Sequence, residues 1–126
     1  MTTDILERSV AYPLRIIKLY RELQKDEIGR IIGRQLLRSG TSIGANIHEA
    51  QGGQSKADFV AKMSIAHKET LESVYWLRLI READLVPSGR IDDLADETEQ
   101  LSKALASILY ECETEHQAMI SLFSHF

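Results

Sequence analysis

Three groupings of residues in this 126-residue chain have types and spacing suited to chemistry. Glu113 and His116 stand three apart, the Glu-x-x-His spacing that aims both side chains at one metal in di-iron bundles. Such a site takes two of these pairs and two further glutamates. No second pair exists, and His48, His67 and His125 lack the spacing, so neither a metal nor another cofactor is expected. Arg30, Arg34 and Arg38 recur every fourth residue and form one ridge on a helix, with Thr41 and His48 continuing that side. Guanidinium forks match phosphate oxygens, and binding of that kind weakens steeply with salt. The ridge is therefore the candidate nucleic-acid-binding site, and its competing role is to pair with acids of the fourth helix. Lys68, Glu69 and Glu72 beside Trp76 resemble an acid/base cluster, but on an interface face they set the registry of subunits. No serine or cysteine has a base at a motif spacing, and no glycine-rich phosphate loop follows a strand. The chain is not expected to be an enzyme.

These groupings need helices to hold them, and the apolar periodicity supplies four. Over about residues 3–24, Ile5, Leu6, Pro13, Ile16, Ile17, Tyr20 and Leu23 share one broad side. Pro13 cannot donate to the carbonyl of Ser9, which predicts a kink. Over about 26–51 the stripe is Ile28, Ile32, Leu36, Ile43, Ile47 and Ala50. Gly29, Gly33, Gly40 and Gly44 cost that helix about 1 kcal/mol each relative to alanine, which a close approach by a neighbour would offset. A break at Ser39-Gly40 is the alternative. Asn46 lies at the margin of this stripe, beside Gln35, Ser39 and Ser42. It is expected to be a buried amide that fixes register or oligomer state; a ligand pocket with Glu49 and Lys68 is the other reading.

Gln51-Gly-Gly-Gln54 is a turn, and Ser55 with Asp58 resembles a capping box opening the third helix, about 55–84. Its core side reads Phe59, Met63, Ala66, Thr70, Val74 and Leu77. The other side carries Ile65, Tyr75, Trp76 and Leu79 among Lys68, Glu69 and Glu72. A helix apolar on two faces needs two partners, so this second face is the expected oligomer interface. Leu85-Val-Pro-Ser-Gly89 leads into the fourth helix, about 89–123, where Ile91, Leu94, Thr98, Leu101, Leu105, Ile108, Cys112, Met119 and Leu122 follow alternating three- and four-residue steps. Short connections between long helices favour an all-α, antiparallel up-down-up-down four-helix bundle in one domain, 1–126.

Composition sets the remaining limits. With 44% hydrophobic and 27% charged residues the chain is globular and can bury one core without disulfides. Cys112 is its only cysteine and reads as a small buried hydrophobe. The N-terminus has an early acid and no uninterrupted apolar run, and nothing approaches the roughly 18 apolar residues of a membrane span, so a cytoplasmic protein with no membrane contact is expected. The net charge of −4 is unevenly placed: residues 92–115 carry −7, leaving +3 for the rest. An acidic total therefore does not exclude a local basic surface.

From Gln35 to Val86 the chain carries Gln35, Arg38-Ser39-Gly40, Ser42-Ile43, Ala45-Asn46-Ile47 with Glu49, Lys68-Glu69, Glu72 and Tyr75-Trp76-Leu77. Together these resemble the bacterial four-helix-bundle family called 23S rRNA-intervening sequence proteins. The resemblance implies an up-down bundle assembled as a homopentamer, and it implies no enzymatic activity. The family name records a genomic location inside large-subunit ribosomal RNA genes. The related accessory variability determinant of diversity-generating retroelements is also a pentameric bundle, and it binds nucleic acid and a reverse transcriptase. The expected function is a non-enzymatic homo-oligomeric scaffold with nucleic acid as its first candidate partner. The alternative is an adaptor that binds protein through its acidic fourth helix and makes no nucleic-acid contact.

Overall fold

The computed structural model describes residues 3–124 and holds four helices: α1 (Thr3–Leu23), α2 (Glu27–Gln51), α3 (Lys56–Glu82) and α4 (Gly89–Phe123). Among the described residues there is no strand. Local chemistry explains the helix ends. Asp26 is extended and its carboxylate accepts from the Gly29 N–H at 2.9 Å, starting α2. Ser55 does the same for α3, its hydroxyl accepting from the Asp58 N–H at 3.1 Å. Helix α3 stops where Asp84 turns left-handed at φ 54°, a conformation aspartate tolerates better than most residues, and the Leu85 N–H reaches back to the Ile80 carbonyl at 3.1 Å.

Helices α1 and α2 pack closely because α2 offers glycines. A Cβ on Gly33 would lie 3.2 Å from Tyr20 and Leu23, and one on Gly40 would lie 2.9 Å from Ile16. At Gly44 it would overlap the Ser9 carbonyl oxygen. That oxygen is the acceptor Pro13 leaves without its helical N–H, so proline and glycine meet across the interface. The α1 segment stays helical through Pro13, and α2 runs unbroken through Ser39-Gly40. Ile28, expected in the buried stripe of α2, is 51% exposed. Where α1 and α2 join, a Cβ on Gly29 would sit 2.5 Å from the Leu23 carbonyl oxygen, so only glycine fits inward and the isoleucine faces out.

The buried surfaces follow strict heptads. On α1 the seam is Ile5, Ser9, Tyr12, Ile16, Leu19 and Leu23; on α3 it includes Met63, Ala66, Thr70, Ser73, Leu77 and Ile80. Val74, expected on the core side, is half-buried, and Ser73 takes its place. Four hydroxyls meet in the middle, one from each helix. Ser39 and Ser73 oxygens are 2.8 Å apart, Tyr12 bonds Ser73, and Tyr12 and Thr98 oxygens are 2.6 Å apart. Thr98 donates to the Leu94 carbonyl at 2.7 Å. With that proton spent, Thr98 accepts from Tyr12, Tyr12 accepts from Ser73, and Ser73 accepts from Ser39, whose contact with the Leu36 carbonyl is longer at 3.3 Å, so one direction of donation satisfies the line. All four residues are fully buried, and burial pushes the Tyr12 phenol up to about 12.

Helix α4 outlasts its neighbours. Its seam is buried from Ile91 to Leu105, but Met119 and Leu122, expected to continue it, are 58% and 59% exposed. Cys112 is half-buried. The first residue of α3, Lys56, meets α4 at Glu115 (2.9 Å), so beyond that turn α3 no longer runs alongside.

Two outcomes test this packing. Gly44→Ala should lower the unfolding free energy by about 1–3 kcal/mol, because backbone and not a flexible tip meets the new methyl, while Gly89→Ala, which meets nothing within 4 Å, should not. Tyr12→Phe should cost about 1–3 kcal/mol by leaving buried hydroxyls without partners. Because the folded phenol titrates above the unfolded one, Tyr12 contributes stability that is complete below pH 10 and lost as pH rises toward 12. Urea titrations at pH 8 and pH 11 should show that loss shrinking in Tyr12→Phe.

Candidate interaction site

The outer face of α3 presents Ile65, Lys68, Glu72, Tyr75 and Leu79 in a three- and four-residue stripe, flanked by Glu69 and Trp76. Ile65 and Tyr75 are exposed, Trp76 and Leu79 are half-buried, and the Trp76 ring packs against the core. Tyr75 and Trp76 meet edge to face, ring centres 5.0 Å apart at 68°. A charged network holds the aromatic pair in place. Arg38 reaches across from α2 and bonds the Glu72 carboxylate, and its other nitrogen lies 3.4 Å from Glu69. The Trp76 indole N–H donates to the same Glu72 oxygen at 3.2 Å.

The two glutamates of this network are not equivalent. The bond from Arg38 holds the Glu72 carboxyl below its ordinary range. Burial raises Glu69, and the guanidinium beside it offsets only part of that cost. Glu69 is the less exposed of the two carboxylates and makes the longer contact with Arg38.

The three arginines of α2 are exposed and meet different neighbours. Arg38 is committed to α3. Arg34 turns toward α1, where Gln24 and Arg34 donate to the Tyr20 phenol oxygen and hold it below its usual range. Arg30 is exposed. Asn46 is half-buried, and its amide donates to the Ser42 carbonyl of its own helix at 2.8 Å. The polar link between helices expected of Asn46 is made by the Ser39, Ser73, Tyr12 and Thr98 line. Glu113 and His116 are exposed on α4, His125 lies outside the described residues, and no three described metal-ligating side chains group closely enough to hold an ion.

One pairing escaped the sequence reading. The Ser9 oxygen lies 2.9 Å from His48 Nε2 and 2.6 Å from the Leu6 carbonyl. A carbonyl only accepts, so the Ser9 proton goes to Leu6 and the imidazole donates to Ser9. That is the reverse of a base activating a serine. No spacing rule links residues 39 apart in sequence; what placed them together is the glycine contact at Gly44.

The network predicts opposite pH signatures. Glu72, with its folded pKa depressed, contributes stability above the unfolded value of about 4.5 that is lost as pH falls through the folded one. Glu69, raised, contributes below about 4.5 and loses that contribution as pH rises through its folded value. Glu72→Gln should therefore destabilise at pH 7 by up to about 1 kcal/mol, while Glu69→Gln should be neutral or stabilising there. Denaturation midpoints at pH 7 and pH 4 check both signs.

Comparison with known proteins agrees with this architecture. A solved structure of a protein with unknown function from the S23 ribosomal protein family of Bacteroides thetaiotaomicron superposes with a TM-score of 0.79 at 37% identity, covering 83% of this chain and 97% of that one. No curated protein matches. The sequence pattern of the 23S rRNA-intervening sequence proteins matches residues 1–107, and the chain belongs to that family.

Proposed function

We propose that this protein is a non-enzymatic homo-oligomeric scaffold of the cytoplasm, an antiparallel up-down-up-down bundle whose copies associate through the outer face of α3 and which recruits protein. The observation that carries the reading is that face: Ile65 and Tyr75 stand in water beside a half-buried Trp76 whose indole is fixed by Glu72. A rigid aromatic anchor in a ring of polar contacts is the usual make-up of an association hot spot. Pairings in which residue numbers rise on one helix as they fall on the next, 16 with 40 and 9 with 44, support the antiparallel order. A ring of five is the assembly that the family resemblance suggests.

Protein is favoured over nucleic acid as the recruited partner because Arg38 is already neutralised. A phosphate would have to displace two carboxylates to reach it, which leaves Arg30 and Arg34 on a chain of net charge −4.

Light scattering should give a multiple of 14.3 kDa for the wild type and a lower mass for Trp76→Glu and for Tyr75→Lys, the second being an exposed position that leaves the core intact. Unchanged mass in both variants would overturn the interface. Fluorescence anisotropy with labelled single-stranded DNA, duplex DNA and structured RNA should show no binding at physiological salt. Salt-sensitive binding that Arg30→Glu/Arg34→Glu/Arg38→Glu abolishes would return the arginines to a phosphate-binding role.

A further inference from the structure

Between the first turns of α3 and the far part of α4 runs a groove of about 630 Å³. Small residues of α3, Ala57 and Ala61, leave it open beside Val60, and Leu109, Cys112 and His116 of α4 form its other wall. Spacings of three and four carry that wall onward to Met119, Ile120 and Phe123, which are 58%, 49% and 65% exposed. The apolar strip is thus continuous from an open groove to a free-standing helix end. A helix of a few turns in water draws little stability from itself, so this end gains most from a partner along its apolar side.

Charge selects the partner. Residues 104–124 contain Glu111, Glu113 and Glu115 and no lysine or arginine, and Lys56, at the groove mouth, is paired with Glu115 at 2.9 Å, which leaves the charges of Glu111 and Glu113. A second copy of this helix end would bring its own Glu111 and Glu113 against these, and a phosphate backbone would be repelled as well. The family match ends at residue 107, before Leu109, so the groove's α4 wall lies outside what this chain shares with its family pattern.

We propose that the α3/α4 groove and the α4 end dock a basic amphipathic helix of another protein, its apolar face on the Leu109-to-Phe123 strip and its lysines or arginines against Glu111 and Glu113. This rests on the protein-recruiting reading above and names the class of partner; it does not depend on the α3 interface. Helix-in-groove recognition takes its affinity from apolar anchors at three- and four-residue spacing and its selectivity from the rim.

The test uses the full chain and two labelled 16-residue peptides with leucines on one face, one with lysines on the other face and one with glutamates there. Fluorescence polarisation should show the lysine peptide binding at least about tenfold tighter than the glutamate peptide, a difference that narrows with salt. Ala61→Trp, which fills the groove from an exposed position, should weaken the lysine peptide at least about tenfold, and Glu111→Gln/Glu113→Gln should flatten the salt dependence. The Trp76→Glu variant should bind that peptide as the wild type does, which separates this proposal from the oligomer interface. Equal binding of both peptides, no binding, or indifference to Ala61→Trp would overturn it. So would a fall in oligomer mass in Phe123→Glu, which would make a second copy the occupant.

Discussion

The line of hydroxyls through the middle of the bundle constrains everything around it. Ser39, Ser73, Tyr12 and Thr98 come one from each helix, and each is buried where a lone polar group is costly. Apolar packing alone tolerates a helix sliding by a heptad, since leucines and isoleucines recur on the same face. A hydroxyl cannot slide, because the oxygen it bonds is at one height only. The line therefore fixes the relative register of α1, α2, α3 and α4 together, and its end on the Leu94 carbonyl gives the chain of protons one direction.

Register in turn decides what reaches the surface. With α1 held against α2 through Gly33, Gly40 and Gly44, the Ser9 carbonyl freed by Pro13 finds room beside a residue without a side chain, and His48 is brought to the Ser9 hydroxyl. With α2 held against α3, Arg38 arrives over Glu69 and Glu72 and steadies Trp76. A feature that looks like a reactive cluster is in this way an anchor for an aromatic side chain. The same register leaves α4 longer than the bundle, so among the described residues no helix covers its last apolar side chains.

The two surfaces of the molecule differ in kind. The α3 face belongs to the segment shared with the family, and its aromatic pair is held by charges from two helices. The groove and α4 end are acid-rimmed, and their α4 residues lie beyond the shared segment. On the proposed reading the α3 face serves assembly and the groove serves recruitment, a physically reasonable division for a scaffold. The first must match copies of itself, whereas the second is free to match something else.

Helical periodicity alone determined that the chain is all-α with four long helices, and the glycines of α2 announced a close neighbour before any neighbour was known. The strict seam Ile5, Ser9, Tyr12, Ile16, Leu19 and Leu23 was also present in the letters, but serine and tyrosine hide it from a reading that follows apolar residues. Which polar groups pair across helices was decided only by tertiary structure. Asn46 and Tyr12 are equally polar in sequence, yet one bonds its own helix and the other joins three more. The arginine spacing likewise gave a ridge, and packing set Arg34 beside Tyr20 and Arg38 beside Glu72. A heptad continues through Met119 and Leu122 whether or not a helix lies opposite; only the point where α3 begins ended their burial. Periodicity records which side of a helix is apolar, and the partner's length and register decide what becomes of that side.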